Sequence, residues 1–112
     1  MTLPSPIPVD LAEMISARLR IIGDPTRIRI LDLLRDDELS VTQLTERLET
    51  SQQNASKHLG MLLQAGIVAR RKDGNSSIYS IADRGVYELC EQVCGGLQLQ
   101  LTELTALVQG TR

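Results

Sequence analysis

A mainly α-helical fold carrying one small β-hairpin is predicted, on three observations. Apolar residues recur at spacings of three and four through most of the chain. Two such segments, Ser40 to Leu48 and Ser51 to Leu63, are joined by nothing more than Glu49-Thr50. Two extended segments then bracket the turn-forming run Asp73-Gly-Asn-Ser76. Helix, tight link, helix and basic hairpin, in that order, describe a winged helix-turn-helix. At 112 residues this is one domain, and so short a chain buries a limited core alone, so that dimerisation would help it.

Residues 1–8 contain Pro4, Pro6 and Pro8, which do not sustain a helix, and read as a flexible N-terminal arm; residues 9–112 are the domain. Asp10 and Glu13 have capping-box spacing, and Leu11, Ile15, Leu19 and Ile22 form the stripe of an amphipathic first helix that Gly23 ends. Asp24 caps a second helix with Pro25 at its first position, where a missing N–H costs nothing. The expected buried face of that helix holds Ile28, Leu31 and Leu34 with Ile30 or Leu33. Arg27, Arg29 and Arg35 are expected in solvent or paired with Asp24 and Asp32, with phosphate contact the alternative for Arg27 and Arg29. Residues 36–39 read as a plain connection.

Ser40 and Gln43 supply the capping box of a third helix, with Leu44 and Leu48 on one face. Ser51 caps a fourth, over residues 51–65. Its Ala55, Leu59, Leu62 and Leu63 face inward, leaving Gln52, Gln53, Asn54, Ser56 and Lys57 in the first turns on the other faces. The first turns of the second helix in such a motif reach base edges and phosphates, and Gln or Asn bonds adenine in a bidentate way. Gly66 closes that helix, and residues 67–81 form the wing hairpin, where Arg70, Arg71, Lys72, Asn75 and Ser77 are candidate DNA contacts. Asp83 then caps a last helix, residues 83–108, whose stripe runs from Val86 to Val108. Its length is best explained by packing on a twin. Gly95-Gly96 in its middle costs about 2 kcal/mol relative to alanine; a close helix crossing at a twofold axis and a kink between two shorter helices both account for it.

The net charge of −2 hides an asymmetry, since residues 51–81 carry four cations and one anion, a surplus of +3, and leave −5 to the rest. Positive charge thus gathers where DNA would dock. Tyr79 and Tyr87 are the sole aromatics, so a stacking platform for single-stranded nucleic acid is excluded. No apolar run approaches the roughly 20 residues of a membrane span, and no signal-type N-terminus is present. The expected compartment is the cytoplasm, where Cys90 and Cys94 rest as thiols.

Four ordered blocks resemble the ArsR/SmtB family of bacterial winged-helix repressors: Gly23-Asp-Pro-Thr-Arg-Ile-Arg-Ile-Leu31, Glu38-Leu-Ser-Val-Thr-Gln-Leu44, Ser51-Gln-Gln-Asn-Ala-Ser-Lys-His-Leu59, and Ala65-Gly-Ile-Val-Ala-Arg-Arg71 leading to Tyr79. The resemblance implies a homodimer built on the first and last helices. It would bind an imperfect inverted repeat near its own promoter and release it when an inducer binds. Family positions in the recognition helix map onto Gln53, Ser56 and His58, and the wing onto residues 70–77. Two metal sites found in members are missing here. The run Leu39-Ser-Val-Thr-Gln43 has no thiol, and on the last helix Asp83 fills the first ligand position, but Gly85 and residues 96–99 offer no imidazole.

Cys90 and Cys94 stand four apart on the last helix, pointing the same way. Three readings stay open: small apolar side chains packed in an interface, a sensor of oxidation or reactive sulfur, or a grip on a thiophilic metal or metalloid with Glu91 or a partner residue as further ligand. No motif implies a resident cofactor. His58, the single imidazole, reads as DNA-facing or helix-packing. Without a convergent carboxylate, thiol or hydroxyl it assembles no triad, and no phosphate-loop or metalloprotease spacing occurs, so no enzyme is expected. The expected function is a homodimeric DNA-binding transcriptional repressor. The rival is a winged-helix protein-interaction module that has lost DNA binding.

Overall fold

Local chemistry at the helix starts sets the chain path. In the computed structural model, which describes residues 2–110, the order is α1 (Val9–Ile22), α2 (Pro25–Leu33), β1 (Leu39–Ser40), α3 (Val41–Leu48), α4 (Gln52–Gln64), β2 (Val68–Asp73), β3 (Ser76–Ile81) and α5 (Arg84–Val108). Asp24 caps α2 by accepting from the N–H groups of Thr26 and Arg27 at 2.9 and 3.1 Å, with Pro25 at the first helical position. Asp83 likewise caps α5 through the Gly85 N–H. The Asp10–Glu13 box does not form. Pro8 already stands at the N-cap, its carbonyl taking the Ala12 N–H at 3.0 Å, so Asp10 falls inside the first turn.

Ile30, Leu31, Leu44, Leu59, Leu62 and Ile67 are fully buried and form the centre of a core that gathers α2, α3, α4 and the base of the hairpin. Two expectations for α2 are corrected here. Ile28 is 41% exposed, whereas Arg27 is 8% exposed and lies on the buried face with Ile30 and Leu31.

The sheet has three strands in the order β1-β3-β2, all antiparallel. Residues 36–39 are therefore more than a connection, because Leu39 pairs with Tyr79 and Ser40 with Ile78. In the hairpin Asp73 faces Ser76 across Gly74-Asn75, with Gly74 at φ +64° and Asn75 outside the left-handed region. A positive φ at the first of two turn residues is the type II′ pattern that matches strand twist.

The outer helices are thinly attached. Ile22 is the buried residue of α1 and Val86 that of α5. Val9, Met14, Val93, Leu97, Leu101 and Leu104 are each more than half exposed. The α5 helix runs unbroken through Gly95 and Gly96, about 37 Å at 1.5 Å per residue.

Candidate nucleic-acid interface

Two polar caps and a left-handed residue place α4. The Ser40 Oγ accepts the Gln43 N–H at 3.1 Å while the Gln43 side chain accepts the Ser40 N–H at 2.9 Å, starting α3. Glu49, at φ +54°, turns the chain out of α3, and the Ser51 Oγ accepts the Asn54 N–H at 3.0 Å to begin α4. Ala55, Leu59 and Leu62, all fully buried, fix which side of α4 faces the core. Gln52, Gln53, Ser56 and Lys57 are left exposed together on its first turns. That group agrees with the sequence reading. Asn54 joins it less fully, being half-buried with its amide nitrogen donating to the Thr50 Oγ1 at 3.0 Å.

His58 leaves the exposed group. It is 8% exposed, and its Nδ1 stands 3.0 Å from the Arg27 guanidinium and 3.9 Å from the Asp24 carboxylate. A guanidinium only donates, so Nδ1 accepts and the ring proton sits on Nε2. Of the two roles read for His58, this contact is helix packing. Arg27 also donates to the Ile21 carbonyl at 2.5 Å and meets the Met61 sulfur at 3.2 Å. With Nε and one terminal nitrogen engaged inside the protein and the residue 8% exposed, Arg27 is turned away from the surface where phosphate would lie. Burial works to raise the Asp24 carboxyl, but the N–H of Arg27, the positive charge of Arg27 and the N–H of Thr26 outweigh it and hold it below its ordinary value.

The wing divides its cations. Alternation along β2 puts Arg70 and Lys72 on one face and Arg71 on the other. Arg71 reaches Glu38 through two contacts of 3.3 Å. Arg70 and Lys72 make no ion pair among the described residues. Asn75 is exposed at the tip, and Ser77 is half-buried.

On α5, Cys90 is half-buried against the core and Cys94 is exposed. Burial pushes the Cys90 thiol above its ordinary value. Both line an open groove of about 550 Å³ between α2 and α5, with Arg29, Asp32, Tyr87 and Glu91 around it. Among the described residues no three potential ligands converge on a metal position. Asp83 is already engaged, one oxygen on the Gly85 N–H and the other 2.6 Å from Arg18. Arg18, which the sequence reading passed over, also donates to the Ala65 carbonyl at 2.8 Å.

A capped recognition-type helix beside a basic antiparallel hairpin defines the class as winged helix-turn-helix. The family profile described as helix-turn-helix domain matches residues 22–71. The chain is 40% identical over 94 residues to the HTH-type transcriptional regulator Rv0081 of Mycobacterium tuberculosis, covering 81% of each. It is 33% identical over 82 residues to the transcriptional repressor SmtB of that organism, covering 73% of this chain and 61% of that one. It belongs to the ArsR/SmtB family of helix-turn-helix transcriptional regulators. The crystal structure of Rv0081 superposes with a TM-score of 0.77 at 36% identity, over 86% of this chain and 97% of that one. A homodimeric winged helix-turn-helix DNA-binding domain from Mycobacterium bovis, Mb0332, gives a TM-score of 0.72 at 26% identity, over 88% and 91%. No helix among the described residues is long and apolar enough to cross a membrane.

Proposed function

We propose that this chain is a cytoplasmic homodimeric repressor without catalytic activity, binding duplex DNA through α4 in the major groove and the wing along the adjacent backbone or minor groove. The observation that carries the reading is the exposed set Gln52, Gln53, Ser56 and Lys57 at the capped start of α4. Helix N-termini carry positive partial charge that favours phosphate, and the glutamines bring donors and acceptors suited to base edges. Arg70 and Lys72 supply phosphate contacts from the wing, with Asn75 and Ser77 beside them. The exposed apolar faces of α1 and α5 support dimerisation through those helices. Two recognition helices would then address half-sites about 34 Å apart.

Release is assigned to a thiol-directed signal at Cys90 and Cys94, which share one groove. Oxidation or reactive sulfur is the first reading, and a thiophilic ion completed by the partner subunit is the second. The test is fluorescence anisotropy of the purified protein on the DNA upstream of its own gene, reduced and then mildly oxidised. Tight binding that falls at least tenfold in Gln53→Ala and Lys57→Ala supports the DNA reading, and no binding in the reduced state sinks it. Loss on oxidation that a reductant reverses and Cys90→Ser abolishes supports the thiol switch. Reversal by a chelator instead points to an ion, and equal binding in all states returns both cysteines to packing.

A further inference from the structure

The helix α1 rests on the body through one buried side chain, Ile22, yet two arginines tie it to the recognition helix. Arg18, from the middle of α1, forks: one nitrogen donates to the Ala65 carbonyl at the C-terminal end of α4, and the other meets Asp83, the residue that caps α5. Arg27 donates from Nε to the Ile21 carbonyl in the last turn of α1 and from another nitrogen to His58 in the middle of α4. His58 and Ala65 are seven residues apart, two helical turns, so both attachments fall on one face of α4 about 10 Å apart along its axis. One attachment would leave α1 free to swing relative to α4, which the core already holds through Ala55, Leu59 and Leu62. Two fix its direction.

We propose that Arg18 and Arg27 are positioning residues: a two-point clamp that fixes the recognition helix against α1, so that a dimer presents its two α4 helices at one separation. The proposal rests on the DNA-binding reading above for its purpose, though the clamp is measurable without DNA. The charges around it are complementary on every side. Asp24 lies beside Arg27, Asp83 faces Arg18, and the C-terminal carbonyl of α4 is the negative end of that helix. A lysine at position 18 keeps the charge, but its single ammonium lacks the planar fork that reaches Ala65 and Asp83 with separate nitrogens.

The test uses the full chain with Cys90→Ser and Cys94→Ser, nitroxide labels at Glu13→Cys on α1 and Gly60→Cys on α4, and dilution with unlabelled chain. Both sites are exposed, and a side chain at Gly60 meets nothing within 4 Å. The parent is expected to give one narrow distance distribution between α1 and α4. Arg18→Gln and Arg18→Lys should each widen it at least twofold while circular dichroism and the thermal midpoint stay near the parent's. Arg27→Gln should do the same; if its burial prevents folding, the Arg18 pair carries the test. On an upstream duplex that the parent binds, the ratio of affinities for the intact site and for the site with one arm scrambled should fall about tenfold in the Arg18 variants. A generally weakened fold would lower both affinities and leave the ratio unchanged. Unchanged widths overturn the clamp, and so does a preserved ratio with widened distances, because positioning would then not matter to paired recognition. A parent that binds no DNA sinks the DNA reading instead, and the distances still decide the clamp.

Discussion

Asp24 serves two structures at once, capping α2 after the α1–α2 turn and placing a negative charge near the buried Arg27. A buried guanidinium is tolerated where hydrogen bonds and an opposite charge surround it, as they do here. Losing the cap should cost about 1 kcal/mol at neutral pH, so Asp24→Ala is expected to unfold at lower urea than the parent. The pH dependence has a definite sign. With its carboxyl held below the ordinary value in the folded state, Asp24 contributes stability above the unfolded-state pKa of about 4. That contribution fades as pH falls through the folded value. The gap between parent and variant should therefore be wide at pH 7 and narrow in strong acid; a gap independent of pH would show that Asp24 contributes nothing through its charge. The wing gives a second prediction at this scale. Arg71 is spent on Glu38 across the sheet, so Arg71→Ala should change DNA affinity by less than about twofold, whereas Arg70→Ala or Lys72→Ala, each removing one contact per subunit, should weaken it severalfold and reduce the salt slope by about two. Equal losses at all three positions would remove the distinction. The burial of Arg27 was legible in principle: counting back from Ile30, Leu31 and Leu34 at spacings of three, four and seven lands on it. Residue type pointed to solvent, and the contacts that reverse this, from His58 and Met61, lie more than thirty positions away.

Most elements with local signals match the sequence reading, the unformed Asp10–Glu13 box being an exception, whereas β1, held by a distant partner, does not. The boxes and caps at Ser40, Ser51 and Asp83, the turn at Gly74, and the end of α4 at Gly66 all sit in neighbouring residues. At that end the Gly66 and Ile67 N–H groups return to the carbonyls of Leu63 and Leu62, a Schellman closure. By contrast, β1 exists only because Tyr79 and Ile78 lie alongside it, a pairing across about forty residues that no short window displays. In the site, the exposed start of α4 was legible from helical periodicity, while the withdrawal of His58 and the forks of Arg18 depended on packing between elements. Gly95 and Gly96 stand within an unbroken helix, and a Cβ at either meets nothing within 4 Å in the same chain. Helical spacing turns Gly95 away from the stripe of Leu97, Leu101 and Leu104. Gly95→Ala should therefore stabilise the protein by up to about 1 kcal/mol in thermal or urea unfolding. Destabilisation would reveal a close approach at Gly95 by the partner subunit.

For the whole molecule, the arrangement of apolar surface argues most strongly for a second copy. A single chain leaves Val93, Leu97, Leu101 and Leu104 in solvent along α5 and Val9 and Met14 along α1. Burying a leucine contributes about 1.5–3 kcal/mol, and a substitution on a twofold interface acts twice. Leu101→Glu should accordingly raise the dimer dissociation constant by at least about 100-fold, seen in sedimentation equilibrium, with helical content nearly unchanged. A variant as dimeric as the parent would move the interface elsewhere. The measurement that tests the central claim most directly is the salt dependence of affinity for upstream duplex DNA. Lys57, Arg70 and Lys72 on each of two subunits correspond to six neutralised phosphates, and the logarithm of the association constant should fall against the logarithm of salt concentration with a slope of about −5. Binding with that steepness is the predicted result; no binding at low salt, or an affinity indifferent to salt, would contradict the account and favour a winged-helix module that binds protein.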